Sequence, residues 1–222
     1  MKILVLGSKG QLGQCLNDQL AITEHDVVYT SRGQIDIAEF EVTKTQILKI
    51  SPDIVINATA YTAVDKAEEE HQVADRINHL AVANIASIYN QLDCWLIHIS
   101  TDYVFDGSKT GPYEATDARN PLGVYGKSKA AGEEVIEQAF QSKQQPTPEM
   151  NGAEFKAQYA ILRTSWVYGE GVNFIRTILR LAKERQTLKV IADQYGVPSS
   201  ARWLAEVSLA LTLDENNQLR SF

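Results

Sequence analysis

Ile3-Leu4-Val5-Leu6, running into Gly7-Ser8-Lys9-Gly10-Gln11-Leu12-Gly13 and then Cys15 to Leu20, is the stretch whose reading decides the fold. Consecutive apolar residues bounded by a turn signal suit a short strand buried on both faces. Cys15 to Leu20 continues with helical character. Strand, Gly-x-x-Gly-x-x-Gly, helix is the setting a dinucleotide-binding turn requires. Its glycines permit a tight turn and bring backbone close to a pyrophosphate seated on the helix N-terminus. The spacing is a three-three variant of the Gly-x-Gly-x-x-Gly fingerprint, and it makes Gly7, Gly10 and Gly13 candidate cofactor contacts.

Outward from this turn, apolar runs alternate with helical spacing. Asp26 to Thr30 predicts a second strand and Thr43 to Ile50 a helix ended by Ser51-Pro52. Asp53 to Asn57 predicts a third strand, followed by the small residues of Ala58-Thr59-Ala60-Tyr61-Thr62, which let a cofactor lie close to the backbone. Val73 to Gln91 reads as one long helix, Trp95 to Ile99 as a buried strand and Tyr125 to Phe140 as a helix. Tyr159 to Arg163 and Leu188 to Ile191 predict further strands, Phe174 to Glu184 and Trp203 to Leu213 further helices, and Asp193 to Pro198 a turn. Gln141 to Gly152 is polar and reads as an exposed insertion without chemistry. Strands alternating with helices predict an α/β fold, a Rossmann-type doubly wound parallel sheet with ligands outside the carboxyl ends of its strands. At the end of the second strand an acidic residue would bind a ribose 2′-hydroxyl, whereas an arginine accommodates a 2′-phosphate. Arg32 stands there, with no acid until Asp36, which tilts the choice toward NADPH and leaves NADH possible.

A second cluster follows the buried strand at Trp95. Ser100-Thr101-Asp102-Tyr103-Val104-Phe105-Asp106-Gly107 ends it, and Tyr125-Gly126-Lys127-Ser128-Lys129 opens the next helix. Positions i and i+4 share a helix face, so Tyr125 and Lys129 project together. An ammonium beside a phenol lowers the phenol's pKa and suits it to trade protons near neutral pH. A strand-end hydroxyl, Ser100 or Thr101, could hold the same substrate oxygen. That set fits proton transfer to a carbonyl during hydride reduction. The Tyr-x-x-x-Lys spacing by itself would equally suit a surface helix, so its setting carries the reading.

Composition narrows the alternatives. With 222 residues, 44% hydrophobic and 22% charged, the chain has the composition of a globular protein with a sizeable core. A net charge of −7 and the lack of a basic run argue against binding nucleic acid. No apolar stretch is long enough to span a membrane, and the start at Met1-Lys2 lacks the features of a signal peptide, so a cytoplasmic protein is expected. Cys15 and Cys94 are too few and isolated for a disulfide framework. The four histidines share no ligand spacing, no metal site is expected, and His98 reads as a core residue of its strand.

Together these residues resemble the extended short-chain dehydrogenase/reductases, and more narrowly the dTDP-4-dehydrorhamnose reductases. The narrower likeness rests on Asn57 to Glu68, Ser100 to Gly107 and Gly111 to Glu133, and extends through Arg163 to Gly169 and Asp193 to Pro198. It implies reduction of the 4-keto group of dTDP-4-dehydro-β-L-rhamnose by NADPH or NADH, giving a precursor of cell-surface polysaccharide. It further implies Tyr125 as the general acid, Lys129 on the nicotinamide ribose and Thr101 on the carbonyl oxygen. Asp102 and Trp166 would line the substrate pocket. Gly10, Gln11 and Leu12 would meet the pyrophosphate, Asp36 and Ile37 the adenine, and Ala60, Tyr61 and Thr62 the ribose side. On this reading residues 1–163 are mainly the dinucleotide-binding domain, and residues 164–222 form a small, incomplete substrate-binding portion interleaved with it.

Three departures from the resemblance stand out. Some members dimerise through a magnesium site built from glutamates, where Cys15 and Trp203 fall here, so no magnesium and a monomer or weak dimer are expected. Members continue for several elements beyond Phe222. The region from Gln141 to Lys156 is longer than usual. Two other readings share the fold. A sugar-nucleotide dehydratase or epimerase is one, but dehydratases place a second acid after the threonine and its aspartate, where Tyr103 stands. A nucleotide-binding regulatory subunit is the other, and an intact Thr101, Tyr125 and Lys129 argue against it.

Overall fold

The structure, a computed structural model, describes residues 1–89, 91–143, 158–190 and 194–219. Five strands form one wholly parallel sheet: β1 (Lys2–Leu6), β2 (Asp26–Thr30), β3 (Ile54–Asn57), β4 (Trp95–Thr101) and β5 (Tyr159–Thr164), in the order β2-β1-β3-β4-β5. The doubly wound parallel sheet expected from the sequence is therefore present. The strand order reverses between β1 and β3, and a crevice at such a switch point is where α/β sheets take their ligands. Register puts Leu6 beside Thr30 and Asn57, Asn57 beside His98, and Thr101 beside Thr164, so the strand ends meet along one edge.

Alternation along β1 divides the core. Leu4 and Leu6 face one side, where they pack with Ile47 of α2 (Phe40–Ile50), Ile85 and Ile88, and Ile136 and Phe140 of α6 (Val124–Lys143). Ile3 and Val5 face the other side, against Leu12, Leu16 and Leu20 of α1 (Gln11–Leu20) and Leu204 of α8 (Ala201–Thr212). Every one of these residues is buried, and each fully buried Leu or Ile contributes roughly 1.5–3 kcal/mol of apolar transfer.

Several boundaries differ from the sequence reading. The helix expected over Val73 to Gln91 is a helical run from α4 (His71–Asp75) to α5 (Ala81–Ile88), interrupted by a π-helical turn at Arg76–Leu80. A short helix, α3 (Val64–Ala67), precedes it. Helix α2 starts earlier than Thr43 and ends at Ser51 in the left-handed region, φ +49°. Helix α6 continues to Lys143 through the start of the expected polar insertion, whose remainder lies outside the described residues. Helix α7 (Phe174–Glu184) matches its expectation. The strand expected at Leu188 to Ile191 is not formed over its described residues, 188–190: β5 takes no partner there, and Val190 is half exposed. An apolar run needs a neighbouring strand to become one.

Candidate active site

The glycine turn is shaped as its fingerprint demands. Gly7 has φ +88°, and a Cβ on it would come 2.9 Å from the Ala58 carbonyl oxygen. A Cβ on Gly13 would overlap the Gly7 carbonyl, so α1 can begin this close to β1 only with glycine there. Gly10 is the N-cap of α1, with no side chain capping the helix and no acidic residue in its first turn. The unpaired N–H groups of that turn form an anion-binding end facing the crevice. Leu12 sends its side chain into the core, while the Gln11 side chain accepts from Asn173 Nδ2 at 3.1 Å.

At the end of β2, Arg32 Nε donates to Asp36 Oδ2 at 2.9 Å, and Asp36 Oδ1 also accepts the Ala38 N–H at 3.1 Å. Burial alone would raise the Asp36 pKa, but these hydrogen bonds and the charges of Arg32 and Arg76 hold it below the usual carboxylate range. Ile37 is buried in the core. After β3, Tyr61 is clamped through its main chain: its N–H donates to Asn78 Oδ1 at 2.9 Å, and its carbonyl accepts from Asn78 Nδ2 at 3.0 Å. Asn78 belongs to the π-helical turn, a distortion that recurs at functional sites. Ala60 and Thr62 beside Tyr61 are exposed.

Beta4 and α6 bring the second cluster together. Glu68 Oε1 accepts the Val124 N–H at 2.7 Å, which fixes the start of α6. Tyr125 and Tyr103 meet edge to face, ring centroids 5.6 Å apart. The Thr101 hydroxyl is near enough to the Tyr125 phenol to favour its ionised form. Thr101 Oγ1 also donates to Asp102 Oδ1 at 3.1 Å. Burial pushes the Tyr125 phenol up to about 12; Thr101 pulls the other way, while Asp102 and Tyr103 add to the rise. Lys129 is 1% exposed, and its side-chain nitrogen donates to the Ile99 carbonyl at 2.6 Å. Burial lowers Lys129 to about 8, against the raising effect of Glu133. The expected depression of the phenol pKa by Lys129 is thus corrected. The lysine nitrogen is engaged with β4, and burial dominates at Tyr125.

Glu133, one turn beyond Lys129, is wholly buried beneath two guanidinium groups, Arg163 Nη2 at 2.7 Å and Arg119 Nη1 at 3.1 Å. Burial would raise its pKa, but Arg163 and Arg119 hold it below the usual range. Arg163 also lies 5.1 Å from the Phe105 ring centroid, and Phe105 stacks on Tyr113. The loop beyond Asp102 is thereby tied to the sheet edge.

A groove of about 1730 Å³ opens above Tyr125, with Asp102, Tyr103, Thr164, Trp166 and Tyr195 in its walls. Trp166 has φ +42°, which a bulky residue rarely adopts and which costs of order 1–3 kcal/mol. Its ring lies 5.6 Å from that of Phe174. The hydroxyls of Thr164 and Ser165, at the end of β5, are buried and have no hydrogen-bond partner among the described residues.

All strand-end candidates therefore share one edge of the sheet: the glycine turn, Arg32 and Asp36, Ala60 to Thr62, and Thr101, Asp102, Tyr125 and Lys129, with Trp166 across the groove. Reading the sequence missed Asn57, Asn78 and Glu68, and placed His98 in the core without a polar role. The only signal for Asn57 and His98 was a polar residue inside an apolar run. Among the described residues, no group of three or more His, Cys, Asp or Glu could hold a metal ion, and no helix is long and apolar enough to cross a membrane.

This sheet, this glycine turn and this Tyr/Lys pair beside a strand-end threonine place the chain among doubly wound α/β proteins built like short-chain dehydrogenase/reductases. Within that class it belongs to the family described as RmlD substrate binding domain, which it matches over residues 1–221. It is 42% identical over 210 residues to the dTDP-4-dehydrorhamnose reductase of Salmonella typhimurium, covering 93% of this chain and 65% of that protein's length. A dTDP-4-dehydrorhamnose reductase crystal structure from Clostridium acetobutylicum superposes with a TM-score of 0.83 at 36% identity, over 95% of this chain and 70% of the other. The reductase from Bacillus anthracis, solved in complex with NADP, gives 0.82 at 33% identity, over 95% and 69%. The chain thus spans about two thirds of the length of such relatives.

Proposed function

We propose that this chain carries the NADPH-dependent reduction of the 4-keto group of dTDP-4-dehydro-β-L-rhamnose to dTDP-β-L-rhamnose. The observation that carries the reading is Tyr125 in the wall of the groove, with Thr101 beside it at the end of β4 and Lys129 one helical turn away. The likeness to named reductases over 93% of this chain supplies the substrate.

The open first turn of α1 and the space kept by Gly7 and Gly13 fit a dinucleotide pyrophosphate, with the Gln11 and Leu12 N–H groups and the Gly10 backbone around it, the Gly10 N–H itself donating to the Gly7 carbonyl at 3.0 Å. Arg32 would meet a 2′-phosphate. Its exposed pair with Asp36 is worth only about 0–1 kcal/mol, so a phosphate can displace the carboxylate. Ala60, Tyr61 and Thr62 would flank the ribose. When bound, the cofactor supplies the hydride to C4.

Thr101 orients the carbonyl oxygen, and Tyr125 gives it a proton as the hydride arrives, so ketone plus hydride plus proton balance to alcohol. A phenol at about 12 is protonated at neutral pH and still a far stronger acid than the alcohol formed. Lys129 would hold the nicotinamide ribose, and Trp166 and Asp102 the sugar nucleotide. The residues up to 163 would serve the dinucleotide, and those from 164 onward the sugar. Cys15 on α1 and Trp203 on α8 give a magnesium ion no carboxylate, and the reaction is proposed to proceed without one.

The test is a coupled assay with enzymatically generated dTDP-4-dehydro-β-L-rhamnose and NADPH, followed by nicotinamide absorbance. Substrate-dependent NADPH consumption is expected. Product formation without NADPH consumption would point to epimerase or dehydratase chemistry. NADPH binding without turnover would point to a regulatory subunit.

A further inference from the structure

Beneath the site, polar groups run in single file through the core. The Thr59 main-chain N–H donates to Asn57 Oδ1 at 3.1 Å, and Asn57 Nδ2 lies 3.2 Å from His98 Nδ1. His98 Nε2 lies 3.2 Å from Lys129 Nζ, which donates to the Ile99 carbonyl at 2.6 Å. Asn57 and His98 are fully buried and Lys129 is 1% exposed, so bulk water does not complete their hydrogen bonding.

The two ends of the file are chemically fixed. A main-chain N–H can only donate and a carbonyl oxygen can only accept. Asn57 Oδ1 takes the Thr59 N–H and also the Thr59 hydroxyl at 2.5 Å, so its Nδ2 must face the histidine. His98 Nδ1 then accepts, which leaves the single proton of a neutral imidazole on Nε2. That N–H points at Lys129 Nζ, which must accept it while donating to Ile99. An ammonium has no lone pair to accept with; an amine has one. Turning the asparagine amide over would relieve the lysine, but would set Nδ2 against the Thr59 N–H. The file is closed at every link only around an uncharged lysine.

We propose that His98 is a positioning residue that holds Lys129 as an uncharged amine against β4, and that dinucleotide binding draws a solvent proton onto Lys129 as it leaves His98. The second half rests on the reading that Lys129 serves the nicotinamide ribose; the first does not. The charged and titratable groups facing the pair are few. Glu133 lies one turn along α6, and its charge is already shared between Arg163 and Arg119. His98 faces it from β4. Burial lowers Lys129 to about 8 and is the larger cause that holds His98 well below its ordinary value, both in the direction the file requires.

Two measurements need no ligand. Nitrogen NMR of His98 is expected to show Nε2 protonated and Nδ1 bare; a proton on Nδ1 overturns the proposal. Titration of Lys129 by NMR is expected to move to higher pH in His98→Asn, which loses the donor to lysine, and to stay near wild type in His98→Gln, which keeps an N–H there. An unchanged Lys129 titration in His98→Asn also overturns it. Calorimetry of NADPH binding near pH 8, in buffers of different ionisation enthalpy, then reads the coupling. Proton uptake in wild type that falls in His98→Asn is expected, and equal uptake in both contradicts it. If NADPH fails to bind, the cofactor reading fails, and the two NMR measurements still decide the role of His98.

Discussion

Two regions of this molecule meet at the groove and are built differently. On the β4–α6 side, the groups that would do chemistry are buried and held by the chain's own packing. Lys129 is fixed by Ile99 and His98, Glu133 by two arginines, and Asn78 clamps Tyr61. Beyond β5, α7 buries none of its residues, Val172 is 90% and Tyr195 95% exposed, and the Thr164 and Ser165 hydroxyls have no partner among the described residues. Tyr125 and its neighbours are therefore set before any ligand arrives, whereas the wall beyond β5 gains contacts only from what lies against it. Substitutions on the two sides should fail in different ways.

The largest contrast lies in turnover. Tyr125→Phe removes the proton donor and is expected to lower kcat roughly 100- to 10,000-fold in the coupled assay, with NADPH binding retained. Equal turnover would move the acid elsewhere. Close behind it, Glu133→Gln removes the buried charge paired with Arg163 and Arg119, leaving Arg119 only Glu137, and a loss of about 3–5 kcal/mol in urea unfolding is expected. The depressed Glu133 pKa also gives a sign: its contribution is present above the unfolded carboxylate pKa and is lost as pH falls through the folded value. The acid limb of wild-type stability should therefore flatten in Glu133→Gln.

Smaller effects sharpen the contrast. Trp166→Ala should raise the KM for the sugar nucleotide about fivefold, for a lost stacking contact of roughly 1 kcal/mol, while the Kd for NADPH stays put. Ser51→Gly, at the left-handed end of α2, should stabilise the fold by about 1 kcal/mol in thermal unfolding. Leu179→Ser, at an exposed position of α7, should change stability by less than about 0.5 kcal/mol; a larger loss would mean that α7 is packed after all.

The fold was legible where local signals agreed. The apolar run at Ile3, the glycine turn and the period-switching segments after it place four of the five strands within a residue or two of where they form, and the run at Trp95 extends through Thr101. What escaped were features set by tertiary contact. The π-helical turn serves to aim Asn78 at the Tyr61 main chain, a partner distant in sequence. The run at Leu188 is apolar enough for a strand but has no neighbour to pair with over its described residues. That Tyr125 and Lys129 share a helix face was legible from their spacing, yet the direction of the Tyr125 pKa shift was not, because burial outweighs adjacency on a helix.

The central claim is that the dinucleotide sits on the glycine turn and the strand ends beside it, and does not need the wall beyond β5. Titration with NADPH, followed by nicotinamide fluorescence in wild type, Gly13→Val and Trp166→Ala, tests it most directly. Saturable binding that persists in Trp166→Ala and is lost in a folded Gly13→Val variant is the expected result. Binding that survives Gly13→Val, or a folded wild-type chain that shows none, would contradict it.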